Sequence, residues 1–473
     1  MVAGSQLPVA WWSPMPPART GVAHYSSMVV PALGQHVDLT IGQPATGNRQ
    51  PIYHLGNNPF HEEIYREAMR ESGIIVLHDV VLHHLIVEMT LARGDIEGYV
   101  AALRASHGEA GEAWARGRAA GMHDEIGNFL LPASIDVARR SRAVIVHNKW
   151  AAERLLSFGV ETPVHVVPHP YVHEESHRRV DVPAGRIVGL FGFLTAAKRA
   201  DVVLEAFAAA RKQDPSLTLL VVGQPAPNID VDAMIKRGAD VSSAPGGRDV
   251  RPPPGIVFTG YVPDEDFASY YAAADRLVNL RYPSAGETSG TLIRALDAGK
   301  PVAVSDYAQF AEFPDDCVTK IPLGGDEVNM LTEFLLRGSV EPGRQREWLE
   351  AHCAIEHTVA GYLGVLNGSW PAESRPCVSR VVPLLPRLEV VRSDGRSVTL
   401  RNIGDFTIRT RVYGQPSYRL IANDRWIELP ADLAPGDEVT IELPPGIVRL
   451  AHAVQGIPML DAEPFAEVRI GAV

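Results

Sequence analysis

The chain has 473 residues, of which 46% are hydrophobic and 21% charged, and a formal net charge of −12. That length suits two or three domains of roughly 100–200 residues, and the balance is that of a globular protein with a sizeable core, not a disordered or fibrous chain. The acidity disfavours a general nucleic-acid partner, and no apolar run reaches the ~20 residues of a membrane span.

The start, Met1-Val2-Ala3-Gly4-Ser5, has no basic stretch followed by an apolar core, so no signal peptide is expected. The three cysteines, Cys317, Cys353 and Cys377, show no metal spacing and point to a reducing cytoplasm without a disulfide framework. Short apolar runs then alternate with helical patterns. Strands are expected over 7–13, 37–42, 52–55, 74–77, 143–147 and 164–167, and again over 187–191, 217–222, 256–259, 277–280, 302–305 and 318–321. Amphipathic segments such as 61–72, 201–212 and 265–274 lie between them. Strand and helix in alternation imply parallel sheets, and two series imply two Rossmann-like domains. Asp181-Val182-Pro183-Ala184-Gly185 reads as the linker.

Three segments depart from this rhythm. Residues 91–139 are Ala/Gly/Glu-rich and read as a helical insertion, with helices near 98–104 and 109–120. Residues 238–254 are rich in Gly, Pro and Ser and read as a surface loop. After Pro376, Pro383 and Pro386, short alternating runs over 388–392, 398–402, 407–413, 418–421 and 439–443 suggest an antiparallel β-sandwich. Its aromatic residues Tyr413, Tyr418 and Trp426 fit a core or a ligand platform equally well.

Four places carry candidate chemistry. In Gly286-Glu287-Thr288-Ser289-Gly290 a strand runs into a helix expected through Ala298. Free N–H groups and the dipole at such a start favour an anion, and the Glu287 carboxylate can accept from hydroxyls. Arg294, seven residues on, is expected on the same helix face. The plain alternative is a capped helix with a surface ion pair. Second, Lys198 and Arg199 follow another strand, at the sheet edge where ligands bind in open α/β folds. The alternative is two solvated basic residues. Third, Gly21 ends a Pro-rich loop before a helix and allows close backbone approach, a weak signal on its own. Fourth, His54, His78, His83 and His84 cluster with Asp79. They lack zinc spacing, so His78 and His54, at strand ends, read as hydrogen-bonding groups; His147 and His169 are weaker candidates of the same kind. One of His83 and His84 is expected to pack inward. No G-x-S-x-G elbow, Walker or dinucleotide motif is present.

In this order the elements resemble glycosyltransferase family 4, the retaining GT-B enzymes (glycosyl transferases group 1), over roughly residues 7–370. The resemblance rests on Gly192, Leu194 and Lys198 after a strand, on Val221-Val222-Gly223, on Phe258-Thr259-Gly260-Tyr261-Val262, and on Gly299 to Asp306 with Glu312. The loop from Ser13 to Gly21 also looks like the family's. Two positions depart: Arg294 stands where the family has a second glutamate, and Phe193 where it has an arginine. The resemblance implies an α/β GT-B fold, two Rossmann-like domains facing across a cleft, plus the C-terminal all-β sandwich-like domain. The expected bounds are 1–180 with the insertion at 91–139, then 181–370, then 376–473.

The implied reaction is transfer of a sugar from a nucleotide-diphosphate sugar to an acceptor hydroxyl with retention, in glycan, polysaccharide or glycolipid synthesis. No metal or cofactor is implied. Lys198, Glu287 and His78 are the implied catalytic residues. Arg199, Arg294, Thr288, Ser289, Gly290 and Gly21 would bind the donor. A glycan, lipid or small molecule would be the acceptor, in the cytoplasm, with room for peripheral membrane contact. Residues 346–366 look like the helix that such enzymes pass back to the first domain. Two other readings stay open. One is a non-catalytic carbohydrate-binding protein. The other is a sugar-nucleotide epimerase, which would need carboxylates on the first-domain face of the cleft.

Overall fold

The computed structural model describes residues 6–42, 49–121, 125–173, 175, 180–192, 195–223, 255–324, 326–373, 388–394, 397–404, 407–408, 410, 417–422, 425–443, 446–454, 457–458 and 466–470. The expectations for Phe193, Leu194, the 238–254 loop, the proline connector, Cys377, Tyr413 and the Trp426 side chain fall outside the described residues.

Two parallel six-stranded sheets dominate. The first contains β1 (Pro8–Trp12), β2 (Asp38–Ile41), β3 (Gln50–Leu55), β4 (Ile74–Leu77), β5 (Ala143–Val146) and β6 (Val164–Val166), in the order β2-β1-β3-β4-β5-β6. The second contains β7 (Arg186–Phe191), β8 (Leu217–Val222), β9 (Ile256–Gly260), β10 (Arg276–Asn279), β11 (Val302–Ser305) and β12 (Thr319–Ile321), in the order β12-β11-β10-β7-β8-β9. Every residue of β4, β5, β8 and β11 is buried. Strands covered by helices on both faces need such unbroken apolar runs.

The strand orders fix where ligands can sit. Each sheet reverses its winding once: between β1 and β3 in the first, between β7 and β10 in the second. At such a reversal the following loops splay apart and leave a crevice beyond the carboxyl ends of the strands. The loops after β7 and β10 carry Lys198 and Glu287. The chain then returns to the first sheet. Helix Ile355–Leu366 packs Val359, Tyr362 and Val365 into the core of β1, β3 and β4, and the Tyr362 and Tyr25 hydroxyls meet at 2.8 Å. This is the returning helix the resemblance implied, although the observed helices divide at Ala354 into Arg344–Cys353 and Ile355–Leu366.

The insertion is helical, as expected. Helix Ile96–Ala119 breaks its dihedrals at Gly108, where φ is 65°, a conformation open to glycine at little cost. Beyond residue 387 the described strands form two antiparallel sheets, one of Leu388–Ser393, Ser397–Asn402 and Glu438–Glu442, the other built around Ser417–Ala422 and Gly446–Val454. They enclose one core containing Leu400, Tyr418, Leu420 and Leu450. Tyr418 is therefore core, which settles one of the two uses open to it. Among the described residues no helix is long and apolar enough to cross a membrane.

Candidate functional site

The loop after β10 is knitted by its own side chains. The Ser284 hydroxyl accepts from the Gly286 N–H (3.0 Å) and donates to Gln309 Oε1 (2.8 Å), while Gln309 Nε2 donates to the Glu287 carbonyl (2.7 Å). The helix begins one turn later than the sequence pattern implied, as Gly290–Asp297, with Ser289 as its cap accepting from the Leu292 N–H at 3.2 Å. Glu287 and Thr288 therefore lie in the loop and do not share a helix face with Arg294. Glu287 pairs instead with Arg281, Oε1 to Nε 2.8 Å, and its Oε2 accepts from the Ala285 N–H at 3.1 Å. Arg294 reaches across to His24 on helix Gly21–Leu33 (3.3 Å) and lies over the Phe267 ring.

Lys198 closes the turn after β7. Its side chain is buried and its Nζ donates to the Phe191 carbonyl. Gly192 makes the space: its φ is +82°, and a Cβ there would sit 2.8 Å from that nitrogen. Burial first, and the Arg281 guanidinium second, hold the Lys198 amine well below the usual ammonium range, with Glu287 opposing them. The next residue behaves differently. Arg199 is bound bidentately to Glu327 (3.0 and 2.5 Å), both side chains being nearly buried. The basic pair in the sequence thus divides into one amine beside the crevice and one guanidinium committed to a carboxylate.

The first sheet faces this loop closely. The Val80 and Val81 N–H groups donate to the Ala285 carbonyl (2.7 and 3.1 Å). Asn148 Nδ2 donates to the Gly286 carbonyl (3.0 Å) and to Thr288 Oγ1 (3.3 Å). Glu312 accepts from the Lys149 and Trp150 N–H groups (3.1 and 2.7 Å), so a carboxylate from the second half caps a helix of the first. Gly286 has a φ of +84°, and a Cβ there would lie 3.0 Å from the Trp150 ring. The cleft is closed at this point, and only glycine fits it without displacement.

Beyond the loop lies Asp79, whose Oδ2 accepts from the Asn57 N–H at 2.8 Å. Burial and then the Glu287 charge push its carboxyl up to about 7, against the pull of the Asn57 N–H and Arg281. His78 is buried behind it, its Nε2 2.9 Å from His54 Nδ1, with the rings of Tyr25 and His147 against it. Burial, and then the neighbouring imidazoles, hold His78 well below the ordinary imidazole value; His147 is held at about 4 and His169 at about 3. These rings form an uncharged wall. His147 donates from Nδ1 to the Val167 carbonyl (2.9 Å), and its buried Nε2 meets no partner among the described residues. Of the helical pair, His83 packs inward against Tyr99 (2.6 Å), and His84 bonds Asn57. No group of three or more His, Cys, Asp or Glu among the described residues could hold a metal ion.

The predicted site residues thus fall into four groups. Lys198, Glu287, Thr288 and Ser289 gather at the second sheet's reversal, and Gly290 opens the helix there with no atom within 4 Å of a notional Cβ. His78 is buried in the first half, against His54, Tyr25 and His147. Arg294 and Gly21 lie at the Gly21–Leu33 helix, and Arg199 is turned to Glu327. Sequence reasoning missed Arg281 and gave Asp79 no role of its own.

A model of the glycosyl transferases group 1 family matches residues 185–337. No curated protein matches the chain. Among solved structures the chain is similar to sucrose-phosphate synthase from Thermosynechococcus elongatus, at 16% identity and a TM-score of 0.49, covering 77% of this chain and 98% of that one. It is similar to AviGT4, a glycosyltransferase involved in avilamycin A biosynthesis, at 14% identity and a TM-score of 0.43, covering 77% and 99%. It is also similar to a G117R mutant of TarM from S. aureus, in complex with fondaparinux, alpha-GlcNAc-glycerol and UDP, at 15% identity and a TM-score of 0.39. That match covers 51% of this chain, and the chain spans only 46% of TarM.

Proposed function

We propose, from a chain whose residues 185–337 match a model of the glycosyl transferases group 1 family, that it transfers a sugar from a nucleotide-diphosphate donor to an acceptor hydroxyl with retention. The observation that carries this reading is the convergence of Lys198, Glu287 and the Thr288–Ser289–Gly290 helix start at the second sheet's winding reversal, within electrostatic reach of Asp79 from the first half.

Each part has a task. Lys198 and the free amides at the start of helix Gly290–Asp297 stabilise the charge that builds on the leaving diphosphate, the kind of preorganised electrostatics that is usually the largest catalytic contribution. Glu287, fixed by Arg281 and the Ala285 N–H, keeps lone pairs for a sugar hydroxyl. His78 faces the sugar from the first sheet as a neutral imidazole. The contacts of Ala285 and Gly286 with Val80, Val81 and Asn148 hold the cleft shut over the donor and limit its hydrolysis. No step calls for a metal or cofactor. Retention and glycan, polysaccharide or glycolipid synthesis as the role come from the family resemblance, and the cytoplasm as the setting from the sparse cysteines.

A second reading gains one observation. A sugar-nucleotide epimerase needs carboxylates on the first-sheet face, and Asp79 is one. Lys198 and Glu287, in turn, serve transfer directly. The products separate the two, since an epimerase releases a free sugar and a transferase a glycoside of defined anomeric configuration. The donor site itself is tested by thermal shift against UDP-, GDP- and ADP-sugars. Stabilisation by one of them at millimolar concentration is expected, and none from any would remove the basis of the reading.

A further inference from the structure

We infer that Arg281 is a diphosphate-binding residue of the donor site, supplying beside Lys198 the second cation that the sequence lacks at Phe193. The inference rests on the proposed donor site and extends it to a residue that no motif singles out.

Its placement is built, not incidental. Arg281 is the second residue after β10, on the crevice side of the reversal. Its own N–H donates to Ser305 Oγ at the end of β11 (2.8 Å), and the next N–H, of Tyr282, donates to the Ala197 carbonyl in the turn that carries Lys198 (2.7 Å). Two loops from adjacent strands are thereby locked together with their cations side by side. The proximity shows in the charge behaviour: after burial, Arg281 is the main influence holding the Lys198 amine down, and it also draws on Asp79.

The guanidinium is under-used. It is 12% exposed. Its one ion-pair partner among the described residues is Glu287, met through Nε at 2.8 Å but out of line for a hydrogen bond. No described residue accepts from its terminal nitrogens, although a guanidinium carries five N–H donors in a planar fork. Arg199 provides the contrast within the same protein, being satisfied bidentately by Glu327. A buried cation with one misaligned carboxylate is costly unless an anion completes it, and the fork matches phosphate oxygens well. The Arg281 guanidinium and the Lys198 amine lie by Glu287 and by Asp79, whose carboxyl is pushed up to about 7, and an added anion would offset the mutual repulsion of the two basic groups.

The test compares Arg281→Gln, Arg281→Lys and Glu287→Gln with the wild type by calorimetric titration with UDP, GDP and ADP, and with the matching nucleosides as phosphate-free probes. The wild type is expected to bind one diphosphate. Arg281→Gln should weaken it at least tenfold, Arg281→Lys by a few-fold, and nucleoside binding should not change. In a Glu287→Gln background Arg281→Gln should still cost at least tenfold, which a role limited to holding Glu287 would not produce. Should Arg281→Gln fail to fold, Arg281→Lys and Glu287→Gln decide the matter: the first must weaken the diphosphate, and the second must leave it equal or tighter. Diphosphate affinity within twofold of the parent in the Arg281 variants overturns this inference alone. A wild type that binds none of the three diphosphates overturns the donor site and the inference with it.

Discussion

The two walls of the cleft are built on the same kind of sheet but of opposite chemistry. The first sheet presents neutral imidazoles at its carboxyl edge, with His54, His78, His147 and His169 all pressed below the ordinary value by burial. The second presents basic groups, the buried Lys198 amine and the Arg281 guanidinium, with Glu287 paired to the latter. Under the proposed function the difference separates the tasks of the site. Sugar hydroxyls are recognised by uncharged donors and acceptors in fixed orientation, whereas a diphosphate is recognised by charge and amides.

The largest expected effect breaks the neutral wall. A histidine whose folded pKa is lowered binds its proton first in the unfolded chain, so its contribution is intact above about 6.5 and is lost as pH falls below that value. Each such group costs about 1.4 kcal/mol per unit of pH until its own folded pKa is reached. With His147 held at about 4 and His169 at about 3, and His54 and His78 also lowered, the melting temperature should fall steeply between pH 6.5 and 4.5. A flat profile would mean these rings are hydrated.

Next in size, the charged wall. Lys198→Ala should reduce transfer by roughly 10²–10³-fold, the usual cost of removing one preorganised donor, and should weaken diphosphate binding while leaving the acid profile unchanged. Asp79 sharpens the same contrast. Its carboxyl, pushed up to about 7, ionises beside Glu287 as pH rises. Diphosphate affinity should therefore decline from pH 6 to 8, and Asp79→Asn should flatten that decline.

Smaller effects concern the seam between the walls. Gly286→Ala places a methyl 3.0 Å from Trp150 on a backbone with a φ of +84°. A strain of about 1–2 kcal/mol should lower transfer roughly tenfold with a modest change in melting temperature. Glu312→Ala removes the carboxylate that caps helix Lys149–Ser157 and should cost about 1 kcal/mol of stability, the usual value of a cap.

Much of this architecture is legible in the chain because parallel strands covered on both faces read as unbroken apolar runs. Ile74–Leu77 and Leu217–Val222 are found at the bounds the sequence implies. The final β region is less legible. Strand Gly446–Val454 mixes apolar residues with Arg449 and His452 without clean alternation and was not foreseen. The site divides similarly. Lys198, Glu287 and the helix start carry local signatures. The commitment of Arg199 to Glu327 spans 128 positions and leaves no local trace. Arg281 reads as a lone basic residue before a proline turn. Its one available signal is position, two residues past the strand that flanks the winding reversal.

The most direct measurement is a crystal structure of the protein with whichever of UDP, GDP or ADP it binds. The account predicts diphosphate oxygens within hydrogen-bond distance, about 2.7–3.1 Å, of Lys198 Nζ and the Arg281 guanidinium, at the start of helix Gly290–Asp297. A diphosphate bound elsewhere, with both cations still turned to Phe191 and Glu287, would contradict it.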